Sequence, residues 1–231
     1  MRDWVSFWDS DHPIYVNARH LDVHYRRVAE DIARLVPSAD ARVLDHGCGE
    51  ALHARRIAAA CGGLFLCEAA PKLRERLAER FGDEAKIRVV GPEEAGRLPE
   101  ACLDLVVANS VAQYLSRDAF ASLLAVWRRA LKPGGTLVVA DVIGPGQSAF
   151  ADAAALLRFA AANGFLIAAV RGLVRTAFSS YRKLRAELGL TQYSEDEMLA
   201  LLSSTGFSAK RLRPNLGHNQ ARTAFSATKR D

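Results

Sequence analysis

Cysteine and methionine are scarce in this 231-residue chain, which holds four of the first and two of the second. Cys48, Cys61, Cys67 and Cys102 show no Cys-x-x-Cys spacing. That excludes the common zinc and redox frameworks and predicts reduced thiols in an intracellular protein, with neither metal nor disulfide. The opening Met1-Arg2-Asp3-Trp4 leads into polar sequence rather than an apolar run, so no signal peptide is expected. Long hydrophobic runs are also lacking. The most apolar stretch, Ala153 to Val170, is broken by Arg158, Asn163 and Gly164 and barely reaches spanning length, which argues against a membrane span. Internal repeats and low-complexity tracts are absent apart from alanine-rich helices.

What is present is ordinary for a globular protein: half the residues are hydrophobic and a quarter charged. The length fits one domain, residues 1–231, with a substantial core. The net charge of +5 is uneven, because residues 1–150 carry 19 Lys/Arg against 20 Asp/Glu and residues 151–231 carry 12 against 6. A basic C-terminal third steers acidic substrates, faces a membrane, or simply keeps the protein soluble. The basic residues are not interleaved with aromatics as a strand-binding groove requires, so nucleic acid ranks last among partners.

Residues 18–36 read as an amphipathic helix ended by Pro37. Alternation then sets in: strand 42–46, helix 51–60, strand 63–68, helix 71–80, strands 86–90 and 103–108, helix 118–130, strand 135–141. Phe207 to Arg213 and Thr223 to Thr228 read as a closing antiparallel pair. Short apolar runs separated by helices predict an α/β fold, with a mostly parallel sheet covered on both faces. Between the fifth and sixth strands, residues 144–190 form a long helical insert, with helices expected over Phe150 to Ala162 and Phe165 to Leu188.

The most informative stretch is Val43-Leu44-Asp45-His46-Gly47-Cys48-Gly49-Glu50-Ala51, a buried strand ending in an acid and breaking into a glycine turn. Gly47 and Gly49 supply backbone angles that other residues reach only at steric cost, and they let a ligand lie on the backbone near helix amides. A dinucleotide fingerprint would want glycine at Leu52, and Asp45 would repel a pyrophosphate. Asp45 instead suits an ammonium group. Glu68, 19 residues beyond Gly49, ends the second strand where a carboxylate grips ribose hydroxyls. A ligand with an amino-acid end and a ribose end is S-adenosylmethionine.

Val43 to Ala51 and Leu66 to Pro71 resemble the first two motifs of the class I S-adenosylmethionine-dependent methyltransferases of the type 11 kind. Leu103 to Ser110 resembles that family's fourth-strand motif, and Leu131 to Val139 its following turn and fifth strand. Together they cover roughly residues 40 to 142 in order. The resemblance implies a Rossmann-like seven-stranded sheet with the last strand antiparallel, S-adenosylmethionine as methyl donor, and S-adenosylhomocysteine as product. It implies that Asp45 holds the methionine amino group, that Gly47, Cys48 and Gly49 line the turn, and that Glu68 and Ala69 meet the ribose. Adenine falls near Pro92 and Glu93, where the family often has Asp, so either Glu93 substitutes or backbone groups act alone. Asn109 and Ser110 are expected at the methionine end.

Other residues are candidates for the acceptor side. Gln113 and Tyr114 follow the fourth strand, the first as a pocket residue and the second as a pocket or catalytic residue. Asp141 ends the fifth strand, as base, anchor or turn cap. His218 and Asn219 sit in Gly217-His218-Asn219-Gln220, which returns to the carboxyl edge if the sixth strand is parallel; His218 is either a base or a hydrogen-bonded hairpin tip. Tyr15, His20, His24 and Tyr25 belong to an N-terminal cap, residues 1–36, expected to fold over the cofactor, with Tyr15 and His24 as substrate contacts. His20 and His24 are spaced for a metal pair, but no third ligand is evident. His46 reads as a packed histidine, His53 as structural, and Trp4, Phe7 and Trp8 as packing.

The expected reaction is methyl transfer to a hydrophobic small-molecule or lipid-like acceptor, roofed by residues 144–190. The rivals are a binding module without turnover and a membrane-docked lipid or quinone methyltransferase touching the bilayer through residues 150–185. Localisation is expected to be cytoplasmic, either free or peripheral to the inner face of a membrane. The acceptor atom and the oligomeric state are not encoded in any motif.

Overall fold

A computed structural model describes residues 4–10, 14–177 and 189–230. Seven strands, β1 (Arg42–His46), β2 (Gly63–Cys67), β3 (Ile87–Val90), β4 (Leu103–Asn109), β5 (Leu131–Val142), β6 (Phe207–Leu212) and β7 (Thr223–Lys229), form one sheet in the order β3-β2-β1-β4-β5-β7-β6. All neighbours from β3 to β5 pair in parallel. β7 is antiparallel to both β5 and β6, so β6 runs with the rest. Strand order reverses between β1 and β4, placing the switch point beside the glycine turn.

Successive strand residues point to opposite faces, and both faces are buried. Val43, Leu64, Leu66, Leu105 and Val107 pack on one face under α2 (Ala18–Leu35), α3 (Ala54–Ala60) and α4 (Pro71–Phe81), through Ile32, Ile57, Leu73 and Leu77. Leu44, Phe65, Val106, Leu137 and Val139 pack on the other under α6 (Arg117–Ala130), through Phe120, Leu124 and Trp127. At their ends, α1 (Trp4–Trp8) precedes α2, the short α5 (Pro92–Gly96) follows β3, and a 3-10 turn spans Ala112–Tyr114.

One expectation is corrected, one helix was not foreseen, and the helices expected in the insert form as far as the described residues reach. The helix expected at 51–60 begins only at Ala54, because Ala51 takes φ 42° and its carbonyl is spent on a turn bond from the Ala54 amide at 2.9 Å. A helix over Glu195–Ser204 (here α9) was not expected, yet Ser194 and Glu197 form a reciprocal capping box at its start. It adds Met198 and Leu202 to the core beneath β6 and β7. The insert forms α7 (Ala149–Asn163) and α8 (Leu166–Ala177), while the rest of the helix expected to Leu188, with Arg182, Lys183 and Arg185, lies outside the described residues. Gly164, at φ 76°, ends α7 in the left-handed conformation that a helix C-cap favours.

Among the described residues the insert is anchored by packing, by ion pairing and by the Arg19 guanidinium, whose Nε donates to the Asn163 carbonyl at 3.2 Å. A small cluster joins Val23 of α2 to Ala160, Phe165 and Ala169. Asp152 of α7 accepts hydrogen bonds from Arg222 (Nη2 at 2.8 Å, Nε at 3.1 Å), from Asn219 Nδ2 at 2.8 Å and from Gln147 Nε2 at 3.2 Å. No described helix is long and apolar enough to cross a membrane.

Candidate active site at the carboxyl edge

The glycine turn closes at the end of β1 through two amide bonds: Gly47 and Cys48 both donate to the Cys67 carbonyl, at 2.8 and 3.2 Å. Gly47 (φ 75°) and Gly49 (φ 58°) are left-handed. A Cβ on Gly47 would stand 2.6 Å from Val111 Cγ2, and one on Gly49 2.2 Å from the Tyr25 hydroxyl. At either position a side chain must strain the backbone and displace the neighbouring side chain. Cys48 is buried, and its thiol is pushed well up by desolvation.

Two carboxylates flank the turn. Glu68 is buried and accepts the Gly49 amide at 3.0 Å and the Ala70 amide at 2.9 Å. Burial raises its pKa while those amides draw it back down. Each of its oxygens keeps a lone pair for a hydroxyl donor. Asp45 is buried, and desolvation followed by the Glu68 charge pushes it up to about 7. A buried carboxylate held half-protonated at neutral pH is poised for a cationic ligand.

The ends of β4 and β5 form a second constellation. Ser110 (φ 59°) and Asp141 (φ 57°) both adopt left-handed backbone, unusual for residues with side chains. Ser110 Oγ donates to Asp141 Oδ2 at 2.6 Å, and the Asp141 amide donates to Asn215 Oδ1 at 3.0 Å. Burial raises the Asp141 pKa, opposed chiefly by the Arg222 charge. Beside them, Asn109 Oδ1 and Gln113 Oε1 are buried acceptors without a hydrogen-bond partner. Orphaned acceptors of this kind mark a place for a ligand's donors.

The N-terminal cap closes over this edge. Tyr25 Oη accepts the Glu50 amide at 2.9 Å and receives a hydrogen bond from Tyr15 Oη at 3.1 Å. Both phenols are pushed up by burial, Tyr15 to about 12. Asp9 takes the Lys72 amide at the start of α4 at 2.6 Å, and Trp4 and Trp8 pack on Tyr114 with ring centroids 4.8 and 5.7 Å away. The aromatic stripe of α1 thus packs against a residue of the site edge.

His24, His20 and His218 come together, their ring centroids 6.1 to 6.4 Å apart. His20 stacks on Phe165 and His218 on Phe159. Burial is the largest cause holding His24 down at about 3 and the other two at about 4. His218 is therefore a third imidazole that sequence spacing could not reveal, although no group among the described residues is arranged to hold a metal ion.

Some expected site residues are placed elsewhere. The Asn219 amide is committed within the fold: its Nδ2 donates to Asp152 of α7 and its Oδ1 accepts the Ala221 amide at 3.1 Å, so it braces the loop against the insert. Gln220 likewise bonds the Asn215 and Gly217 backbone. His218, a candidate base, lies in an aromatic stack that disfavours its charged form, which makes it a poor proton acceptor. Glu93 is 88% exposed and turned toward Arg97 at 3.7 Å, and Pro92 opens α5. Ala69 offers its carbonyl to Arg74 at 3.2 Å. His46 is packed, its Nδ1 taking a hydrogen bond from Trp127 Nε1 at 3.3 Å, and His53 pairs with Asp22 at 2.8 Å. Sequence reasoning missed Asp152, Arg222 and Asn215, whose partners lie up to 74 residues away and leave no local signal.

Residues 44–139 match the family model described as a methyltransferase domain. Over those residues, which are under half of the chain, the protein is similar to methyltransferases. A trans-aconitate 2-methyltransferase of Methylobacterium nodulans is 38% identical over 128 residues, 51% of this chain and 45% of that protein, so the match spans under half of the relative's length. Among solved structures, the methyltransferase bound to the Haloferax volcanii Trm112 activator superposes with a TM-score of 0.62 at 14% identity, covering 100% of both chains. A Burkholderia thailandensis 1,6-didemethyltoxoflavin-N1-methyltransferase with bound S-adenosylhomocysteine gives 0.56 at 19% identity, covering 94% of this chain and 84% of that one. At such identities the structures establish the fold alone. The glycine cradle, the two buried carboxylates and the orphaned Asn109 acceptor all suit the family's methyl donor.

Proposed function

We propose that this protein is a methyltransferase that transfers the methyl group of S-adenosylmethionine to a small acceptor with a largely apolar body, held beneath α2 and the α7–α8 insert. The observation that carries the reading is Asp45, a buried carboxylate beside a turn that has no room for side chains. Asp45 holds the ammonium group of the donor, Glu68 its ribose hydroxyls, and Asn109 Oδ1 a further donor atom. The bound donor supplies a methyl group on a positively charged sulfur, ready for in-line displacement. The protein's own share is alignment and the exclusion of water, which reach several kcal/mol without any covalent step.

Asp141 is the residue proposed to orient the acceptor and to take its proton where it has one to lose. Its raised pKa makes it a better base than an ordinary carboxylate, and Ser110 fixes one of its oxygens. Tyr114, Gln113 and Tyr15 are proposed as wall residues. His24 and His218 add neutral aromatic surface rather than charge. That neutrality favours an uncharged acceptor over a tricarboxylate such as the one named for the Methylobacterium relative. Cytoplasmic location is part of the same proposal.

The test is S-adenosylhomocysteine formation from S-adenosylmethionine against a panel of phenols, quinols, aromatic amines and trans-aconitate. Asp141→Asn is expected to lower kcat at least tenfold with donor affinity unchanged. Turnover confined to trans-aconitate would overturn the apolar-acceptor reading. The absence of turnover with every acceptor, with donor binding intact, would favour a binding module.

A further inference from the structure

Among the described residues, six large hydrophobic side chains stand exposed, and four of them, Leu166, Ile167, Val170 and Val174, belong to α8. A fifth, Phe150, projects from the first turn of α7 and is 87% exposed. At 100° per residue, Leu166, Ile167, Val170 and Val174 share one stripe along the helix. Arg171 and Arg175 continue the exposed face along one flank, while Ala169 and Gly172 turn inward. Gly172 is needed there, since a Cβ would stand 2.2 Å from Val16 Cγ1.

Among the described residues of α7 and α8, the exposed charges have one sign. α8 holds no acidic residue. The one acid of α7, Asp152, is tied to Arg222, whereas Arg158 is exposed. Beside the stripe a groove of about 700 Å³ runs between Val16 and Asn17 on one side and residues 164–175 on the other, and both arginines line it.

From this surface we infer that α8 is an interfacial helix, which seats the protein on a bilayer rich in anionic phospholipid. The aliphatic stripe enters the headgroup region, and Arg171 and Arg175 extend to the lipid phosphates, their stems lying along the apolar boundary. Twelve residues of helix lie in the plane of the interface and do not cross it. A second copy of the chain fits this face poorly. A two-fold contact of α8 on α8 would set each copy's arginines against a helix with no acid to meet them. The docking is independent of which acceptor is methylated.

Co-sedimentation of the full chain with vesicles decides the matter, using phosphatidylcholine alone and phosphatidylcholine with a third phosphatidylglycerol. Strong binding is expected only to the anionic vesicles, weakening as salt is raised. Each arginine near such a surface is worth about fivefold in partition. Arg171→Gln with Arg175→Gln is therefore expected to lower partition at least tenfold, and Ile167→Ser with Val174→Ser to do likewise while leaving the fold and donor binding intact. Millimolar free phosphate is expected to leave vesicle binding unchanged. Three results would overturn the inference: no preference for anionic vesicles, partition indifferent to both variant pairs, or displacement by free phosphate. So would a concentration-dependent dimer, abolished by Ile167→Ser, in a protein that ignores vesicles.

Discussion

The Tyr25 hydroxyl sits where a Cβ of Gly49 would be, 2.2 Å from that ideal position, and accepts the amide of Glu50 at 2.9 Å. One contact thus couples the N-terminal cap to the glycine turn. Gly49→Ala must strain a backbone at φ 58° and displace the phenol. It is expected to lose about 1–2 kcal/mol of stability in urea unfolding and to weaken S-adenosylhomocysteine binding more than tenfold. Tyr25→Phe leaves the Glu50 amide without its acceptor, and is expected to lose about 1–3 kcal/mol.

Asp45, at about 7, sets a pH dependence. Its folded pKa is raised above the ordinary 3.8, so the unliganded protein loses stability as pH rises from about 4 toward 7. A cationic ligand reverses the preference, because only the ionised form pairs with it. Calorimetric affinity for S-adenosylhomocysteine is expected to strengthen between pH 6 and 7.5. Asp45→Asn is expected to bind weakly with no such slope, and to melt at a higher temperature than wild type at pH 8 when unliganded.

The three clustered histidines act in the opposite sense. Their folded pKa values of about 3 to 4 lie below the ordinary 6.5, so the unfolded chain binds more protons between those limits. Stability therefore falls as pH drops from about 6.5 toward 4. Phe159 and Phe165 stack in the same cluster, so the insert and the cap should loosen first. Hydrogen exchange at pH 5 is expected to show α7 losing protection ahead of α6, and His20→Phe with His218→Phe to flatten the acid limb of the melting curve.

Asp152 and Arg222 hold the insert to the loop beyond β6, with side chains only 23% and 11% exposed. Removing one partner strands the other in a largely dry setting. Asp152→Ala is expected to cost roughly 3 kcal/mol, and the double change with Arg222→Met to recover part of it. A double-mutant cycle by urea unfolding measures the coupling.

How much of this was legible follows from the range of each signal. The glycine turn, Asp45 and Glu68 are readable because a turn and its flanking strand ends are local, and Gly47 and Gly49 do hold the left-handed angles expected of them. The sheet was readable from buried runs such as Val43–Leu44 and Leu105–Val107. Helix α9 announced itself by Ser194 and Glu197, a capping signal that went unread beside its weak apolar pattern. The left-handed Ala51 that delays α3 had no such signal, since alanine gives no hint of it. The braces around Asp141, from Asn215 and Arg222, depend on β6 and β7 returning to the carboxyl edge. No pattern within one segment encodes that return. For the same reason the sequence left His218 as either a base or a hydrogen-bonded hairpin tip, when it is packed between α2 and α7.

The central claim is that the turn from Asp45 to Glu50 holds the methyl donor. Titration calorimetry of S-adenosylhomocysteine into the wild-type chain and Gly47→Val at pH 7.5 tests it most directly. The account predicts saturable one-to-one binding by the wild type and none by a variant that remains folded by circular dichroism. Equal binding by the folded variant, or no binding by the wild type, would contradict it.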